Sequence, residues 1–255
     1  MLNAAYLGVR QNMKPVRDFK KQLDNLDNEV NVIASYVYAE MAIQHAASKS
    51  KSLLATLNRT PTFWRTCFAA LQSGAYIAVG RVFDQKSPYN IDALLNAMEH
   101  DLSLFSKKAL AARKRADGFS NPSELRRYLS KAYVADKADV CRIRKAVDRR
   151  RAFYRRAIVP VRHRHLAHRQ VTESASVKNL YGAGKVSELW RLSVFLHNLN
   201  LELWGLYHNG RKPDLKIRHR YSPKVLFDKP GNETGPHERI VKDVRLLMEL
   251  IAANA

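Results

Sequence analysis

Arg162, His163, Arg164, His165, His168 and Arg169 crowd into the single stretch R-H-R-H-L-A-H-R. Arginine beside histidine suits one reaction above others, cleavage of an RNA phosphodiester by its own 2′-hydroxyl. A group titrating near neutrality must move the proton, and histidine is the side chain for that. A fixed positive group must neutralise the phosphorane oxygens, and the planar arginine fork does so at every pH. Two plainer readings compete. The stretch is a solvated basic face, which explains the arginines better than three histidines beside Leu166 and Ala167. Alternatively the histidines bind a metal. His165 and His168 share a helix face, but His163 does not, no carboxylate or cysteine stands nearby, and the flanking arginines oppose a cation. No metal and no cofactor are therefore expected. On a straight α-helix Arg162 and His168 point about 120° apart, so a symmetric partner chain would complete the pocket.

The whole chain leans the same way. Lys and Arg total 44 against 23 acidic residues, a formal charge of +21 over 255 residues. Such a field favours polyanions, RNA first and an anionic membrane surface second. Arg149, Arg150, Arg151, Arg155 and Arg156 are expected to track a phosphate backbone with Arg164 and Arg169, and Tyr154 to offer a stacking face. The plainer alternative is an exposed helix flank. Cys67 and Cys141 form no CxxC pair and no disulfide framework, and Cys67 is expected to be buried. No apolar run approaches the ~20 residues needed to cross a bilayer, and the N-terminus lacks a signal-like core. A cytoplasmic protein without membrane contact is expected.

Long helices must position these groups, since Gly and Pro are few and fall at punctuating positions. From about Val16 to Ala47, Leu23, Leu26, Val30, Ile33, Val37, Met41 and Ile43 recur at intervals near three and four. SKSKS ends or interrupts that helix. Thr60 and Pro61 read as N-cap and first helical position. The helix they open is apolar almost all round and belongs in the middle of a bundle. It stops at Asp84, which with Arg81 forms either an ion pair or a brace for the Arg162/His168 segment. Asn90 caps IDALLNAMEHDL, a short basic helix spans Lys107–Arg115, and DGFSNPSEL restarts the chain. The most basic helix runs from Asp136 to His168, where Pro160 must kink it or begin another. A helix carrying Trp190, Phe195 and Trp204 on an apolar face, suited to the core or a dimer interface, ends at Asn209-Gly210, a left-handed cap. Residues Arg211–Gly235 have little helical period, and LKIRHRY and KVLFD read as short extended pieces. An amphipathic helix closes the chain, Glu238–Ala253. The expected fold is all-α, a helical bundle over residues 1–210. Residues 211–255, an irregular segment and a C-terminal helix, pack on the same domain.

Arg162 to His168 resembles the signature of the HEPN superfamily: an arginine, usually a polar residue next, and a histidine after four to six positions. R-H-R-H-L-A-H-R, together with Tyr76-Ile77-Ala78-Val79-Gly80-Arg81-Val82-Phe83-Asp84 and the turn and amphipathic helix after it, is similar to the AbiU-type abortive-infection branch. The resemblance covers roughly Val16 to Tyr207. It implies an HEPN-like bundle of four or five helices that dimerises so that two Arg/His pairs meet across a cleft. It also implies, for many members, metal-independent RNA cleavage leaving 2′,3′-cyclic phosphate and 5′-hydroxyl ends. In that scheme His168 is the acid/base, Arg162 the phosphate stabiliser, and His163 a polar assistant.

The expected function is thus a homodimeric endoribonuclease of phage defence, or a toxin held by an antitoxin. The alternatives are a module that binds RNA or nucleotides without cutting, and a helical interaction protein of a defence complex.

Overall fold

The computed structural model describes residues 15–167, 184–216, 222–229 and 235–254. Among them all regular structure is helical. The organiser is α1, Pro15–Lys49, a 35-residue helix. Its apolar stripe, Phe19, Leu23, Leu26, Val30, Ile33 and Val37, is fully buried, as the spacing of three and four requires. The polar run after it is a break rather than an end. Ser50 accepts a hydrogen bond from the Leu53 N–H and starts α2, Lys51–Leu57.

Packed along α1 is α3, Pro61–Phe83, with Thr60 at its N-cap position, although the Thr60 side chain makes no capping bond. The expectation that α3 is a central helix holds for its second half only. Ala75, Tyr76, Ala78, Val79, Gly80, Val82 and Phe83 are buried, whereas Phe63 is 60 % exposed and Trp64, Cys67 and Phe68 are half-buried. The first half runs beyond the layer that covers the second, so composition alone overstated its burial.

Asn90 caps α4, Ile91–His100, by accepting from the Ala93 N–H. A 3-10 turn, Leu102–Phe105, leads into α5, Lys107–Ala116. Asn121 then caps α6, Pro122–Ser130. The basic helix α7, Lys137–Phe153, opens with a capping box between Asp136 and Asp139. It does not break at Pro160. Instead the chain passes through a π turn, Tyr154–Ile158, one short α segment, Val159–Val161, and a second π turn, Arg162–Ala167. The Val159 N–H donates five residues back, to the Tyr154 carbonyl. Widening the helix on both sides of Pro160 accommodates a residue that has no N–H and whose ring crowds the preceding turn.

Three further helices pack on the core. α8, Val186–Asn209, ends on Gly210 in the left-handed conformation, φ +56°, as Asn209-Gly210 predicts. α9 is Pro223–Asp228, and α10, Pro236–Ala253, packs along α1, burying Val241, Val244 and Met248 in the common core. KVLFD is therefore helical, not extended: it docks as a short helix against α1 and α10. On α8, Phe195 is buried, Trp190 is half-buried with its Nε1–H 3.3 Å from the Tyr38 hydroxyl, and Trp204 remains 45 % exposed. No helix among the described residues is long and apolar enough to cross a membrane.

Candidate active site

The end of α3 and the π turns after α7 meet at Arg162. Its guanidinium lies flat on Gly80 of α3, so close that a Cβ there would stand 2.3 Å from Cζ. Nη1 donates to the Tyr154 hydroxyl at 2.7 Å, and Nη2 reaches Asp84 Oδ2 at 3.4 Å. The Arg162 side chain is 21 % exposed. Of its five N–H donors, two are engaged within the described residues, which leaves an edge for a ligand.

Each support has a local cause. Asp84 caps the C-terminal end of α3, its N–H donating to the Gly80 carbonyl at 2.7 Å. One carboxylate oxygen accepts the Lys86 N–H at 3.0 Å, and the other is turned to Arg162. The Tyr154 ring stacks on Phe83 with centroids 5.3 Å apart. Burial pushes the Tyr154 phenol above its ordinary value, and the positive charge of Arg162 opposes that rise. Tyr154 therefore stays protonated at neutral pH, and its oxygen accepts from Arg162.

Behind this layer, Arg151 forms a two-pronged pair with Asp92 of α4, at 2.7 and 2.5 Å, and lies 5.9 Å from the Phe83 ring centroid. Burial would raise the Asp92 carboxyl, but the hydrogen bonds and charge of Arg151 hold it below its usual range. Arg151, Phe83 and Tyr154 thus stack in one row, with Arg162 hydrogen-bonded to the Tyr154 hydroxyl, and together they fix α7 and its continuation against α3 and α4.

This arrangement redistributes the sequence expectations. Arg151 is 5 % and Tyr154 6 % exposed, so neither meets a phosphate backbone or a base: both are committed to the interior. Arg149, Arg155 and Arg164 are exposed and without a carboxylate partner among the described residues. Arg150 is half-buried with its guanidinium 5.3 Å from the Phe195 ring centroid. Arg156 is exposed but pairs with Glu188 of α8 at 2.6 Å. Arg81 and Asp84 do not pair with each other. Arg81 reaches Glu29 of α1 at 2.6 Å, while Asp84 faces Arg162. His163 is exposed. His168 and Arg169 lie outside the described residues. Because Arg162–Ala167 is π-helical, the 120° angle between Arg162 and His168 worked out for a straight α-helix does not apply.

Gly80 was not singled out from the sequence, although a signal existed. A glycine inside a helix costs about 1 kcal/mol against alanine, which points to close approach by a neighbouring group. Asp92 carried no signal, since its pairing with Arg151 spans 59 positions. Among the described residues no three His, Cys, Asp or Glu side chains cluster so as to hold a metal.

Comparison with curated proteins and with solved structures returned no match. A family model does match, that of AbiU2, an HEPN family, over residues 17–222, past the Tyr207 limit of the sequence resemblance. That is most of the chain, and it includes Gly80, Asp84, Tyr154, Arg162 and the segment to His168. The protein is a member of the AbiU2 family of abortive-infection-related HEPN domains.

Proposed function

We propose that the protein is a metal-independent endoribonuclease. The observation that supports this most is the seating of Arg162: held flat on Gly80 between Asp84 and Tyr154, with one edge open. A guanidinium with its rotamer locked before substrate arrives loses little freedom on meeting a phosphate. In the proposed reaction the 2′-hydroxyl oxygen attacks the adjacent phosphorus and His168 takes its proton. Arg162 neutralises the non-bridging oxygens, and the 5′-oxygen departs with a proton from an imidazolium. The products are a 2′,3′-cyclic phosphate and a 5′-hydroxyl. His163, exposed beside Arg162, assists as a polar contact, and Arg149, Arg155 and Arg164 guide the strand. Asp84 is a positioning residue. We place the active form as a homodimer in which two Arg162/His168 pairs face one cleft. Its role is in phage defence or as a toxin, with an antitoxin or trigger restraining it.

The test is cleavage of a mixed-sequence RNA in excess EDTA by the wild type, His168→Ala and Arg162→Ala, with end-group analysis. Cyclic phosphate ends from the wild type alone support the proposal. Clean wild-type protein that binds RNA without cutting it, whether or not a trigger is supplied, supports a binding module instead.

A further inference from the structure

A second concave site lies at the far end of α8. The C-terminal ends of α6 and α8, with residues 131–133 and 211–212, line an open cleft of about 760 Å³. Glu188, beside the candidate active site, and Asn209, in this cleft's wall, are 21 residues apart on α8, about 32 Å. The two sites are therefore separate.

Its lining is Tyr128, Lys131, Tyr133, Asn209, Arg211 and Lys212 with Ala132 and Gly210, and no carboxylate. Two helix C-termini bring roughly half a negative charge each. Three cations exceed what those ends need by about two charges. None of the three has an acidic partner among the described residues. Asp139, next to Tyr133, is already engaged by the Tyr133 hydroxyl and by Arg142. The last carbonyls of α8 are satisfied too: the Tyr128 hydroxyl donates to Asn209 O and the Tyr133 N–H to Gly210 O.

Arg211 is exposed, with one flank of its side chain resting on α8. Its guanidinium lies against Gly205 of α8, with Nε 3.3 Å from where a Cβ would stand. The contact is looser than that of Arg162 on Gly80, near ordinary van der Waals distance, and no carboxylate among the described residues neutralises the guanidinium. Gly210 has to be glycine for two reasons: its φ is positive, and a Cβ would come within 2.7 Å of Leu110 and 3.0 Å of Ala132. Tyr128 and Tyr133, both half-exposed, add aromatic surface beside the cations.

A cleft with surplus positive charge, no carboxylate in its lining and two tyrosine rings fits phosphate joined to a planar base. We infer that it binds a nucleoside phosphate, free or as one unit of an RNA strand. Binding there does not depend on whether the chain cuts RNA.

The experiment is fluorescence anisotropy of the full chain with a dye-labelled 2′-O-methyl uridine tetranucleotide, which cannot undergo 2′-hydroxyl attack. Arg211→Ala/Lys212→Ala is compared with Lys51→Ala/Arg59→Ala, which removes equal charge from the opposite end of α1. The expected result is at least tenfold weaker binding in the Arg211/Lys212 variant only. The salt slope should fall by about 1.4, since each single-strand phosphate contact contributes about 0.7. Competition with 5′-AMP separates the sources: displacement in the micromolar range assigns a free nucleotide, and resistance to it assigns a strand. Equal loss in the Lys51/Arg59 control, or unchanged affinity in the Arg211/Lys212 variant with an unchanged melting temperature, overturns the inference.

Discussion

Gly80→Ala should separate folding from function in a single methyl group. The added Cβ would stand 2.3 Å from Arg162 Cζ, 2.4 Å from Nε and 2.5 Å from Nη1. Contact between such atoms settles near 3.5 Å or more, so the guanidinium must retreat by roughly 1.2 Å. It cannot retreat and keep both partners. The Asp84 contact is already 3.4 Å, and the 2.7 Å bond to Tyr154 would stretch beyond hydrogen-bonding distance. The atoms that must give way belong to the end of a flexible side chain, so the backbone of α3 can stay in place. Replacing a helix-interior glycine by alanine meanwhile adds about 1 kcal/mol of helix stability. Against that stands the loss of the Arg162 contacts, about 1 kcal/mol. The melting temperature should therefore move by no more than about 4 °C in either direction. A misplacement of about 1 Å in a charge-stabilising group costs on the order of 100-fold in rate. Differential scanning calorimetry and initial rates of EDTA-resistant RNA cleavage measure the two quantities on the same preparation. Wild-type cleavage from a well-folded Gly80→Ala protein would refute the claim that the Arg162 pose seen here is the working one.

Three further outcomes follow from the same structure. Asp92→Ala leaves the buried Arg151 only the exposed Asp148 carboxylate, 3.5 Å from Nε, and should lower stability by about 3 kcal/mol, read from urea unfolding; a loss below 1 kcal/mol would mean the Asp92 pair is solvated in solution. Arg149→Ala/Arg155→Ala should leave cleavage at saturating RNA unchanged and reduce the salt slope of binding by about 1.4, because both side chains are exposed and unpaired by acids among the described residues. Stability against pH should carry two opposing slopes. Burial first, and the nearby His197 charge second, push His237 down to about 4, so its contribution is complete above 6.5 and lost as pH falls towards 4, up to about 3 kcal/mol. Burial raises Glu40 to about 7, so its contribution is complete below 4.5 and lost as pH rises through 7. Glu40→Gln should flatten the alkaline side and His237→Phe the acid side, both in chemical-denaturation curves from pH 4 to 8; identical curves for wild type and variants would show neither group buried in solution.

Much of the helical order was legible because its signals are local. The three-four spacing along α1, the Asn90 cap, and Asn209-Gly210 at the end of α8 each depend on residues within a turn or two of one another, and each element formed where that chemistry places it. The candidate motif was legible for the same reason, since arginine and histidines adjoin in sequence. What each basic residue does was not. Arg151 and Arg155 stand one turn apart with the same charge, yet one is buried against Asp92 and the other faces solvent. Charge identity is a property of the residue, whereas burial depends on which distant helix arrives opposite it. Tyr154 turned inward because Phe83, 71 positions away, offers a ring to stack on. Gly80 acquired its importance only when Arg162, 82 positions later, was laid across it. Pairings over such separations are set by packing of α3, α4 and α7, which no local pattern records.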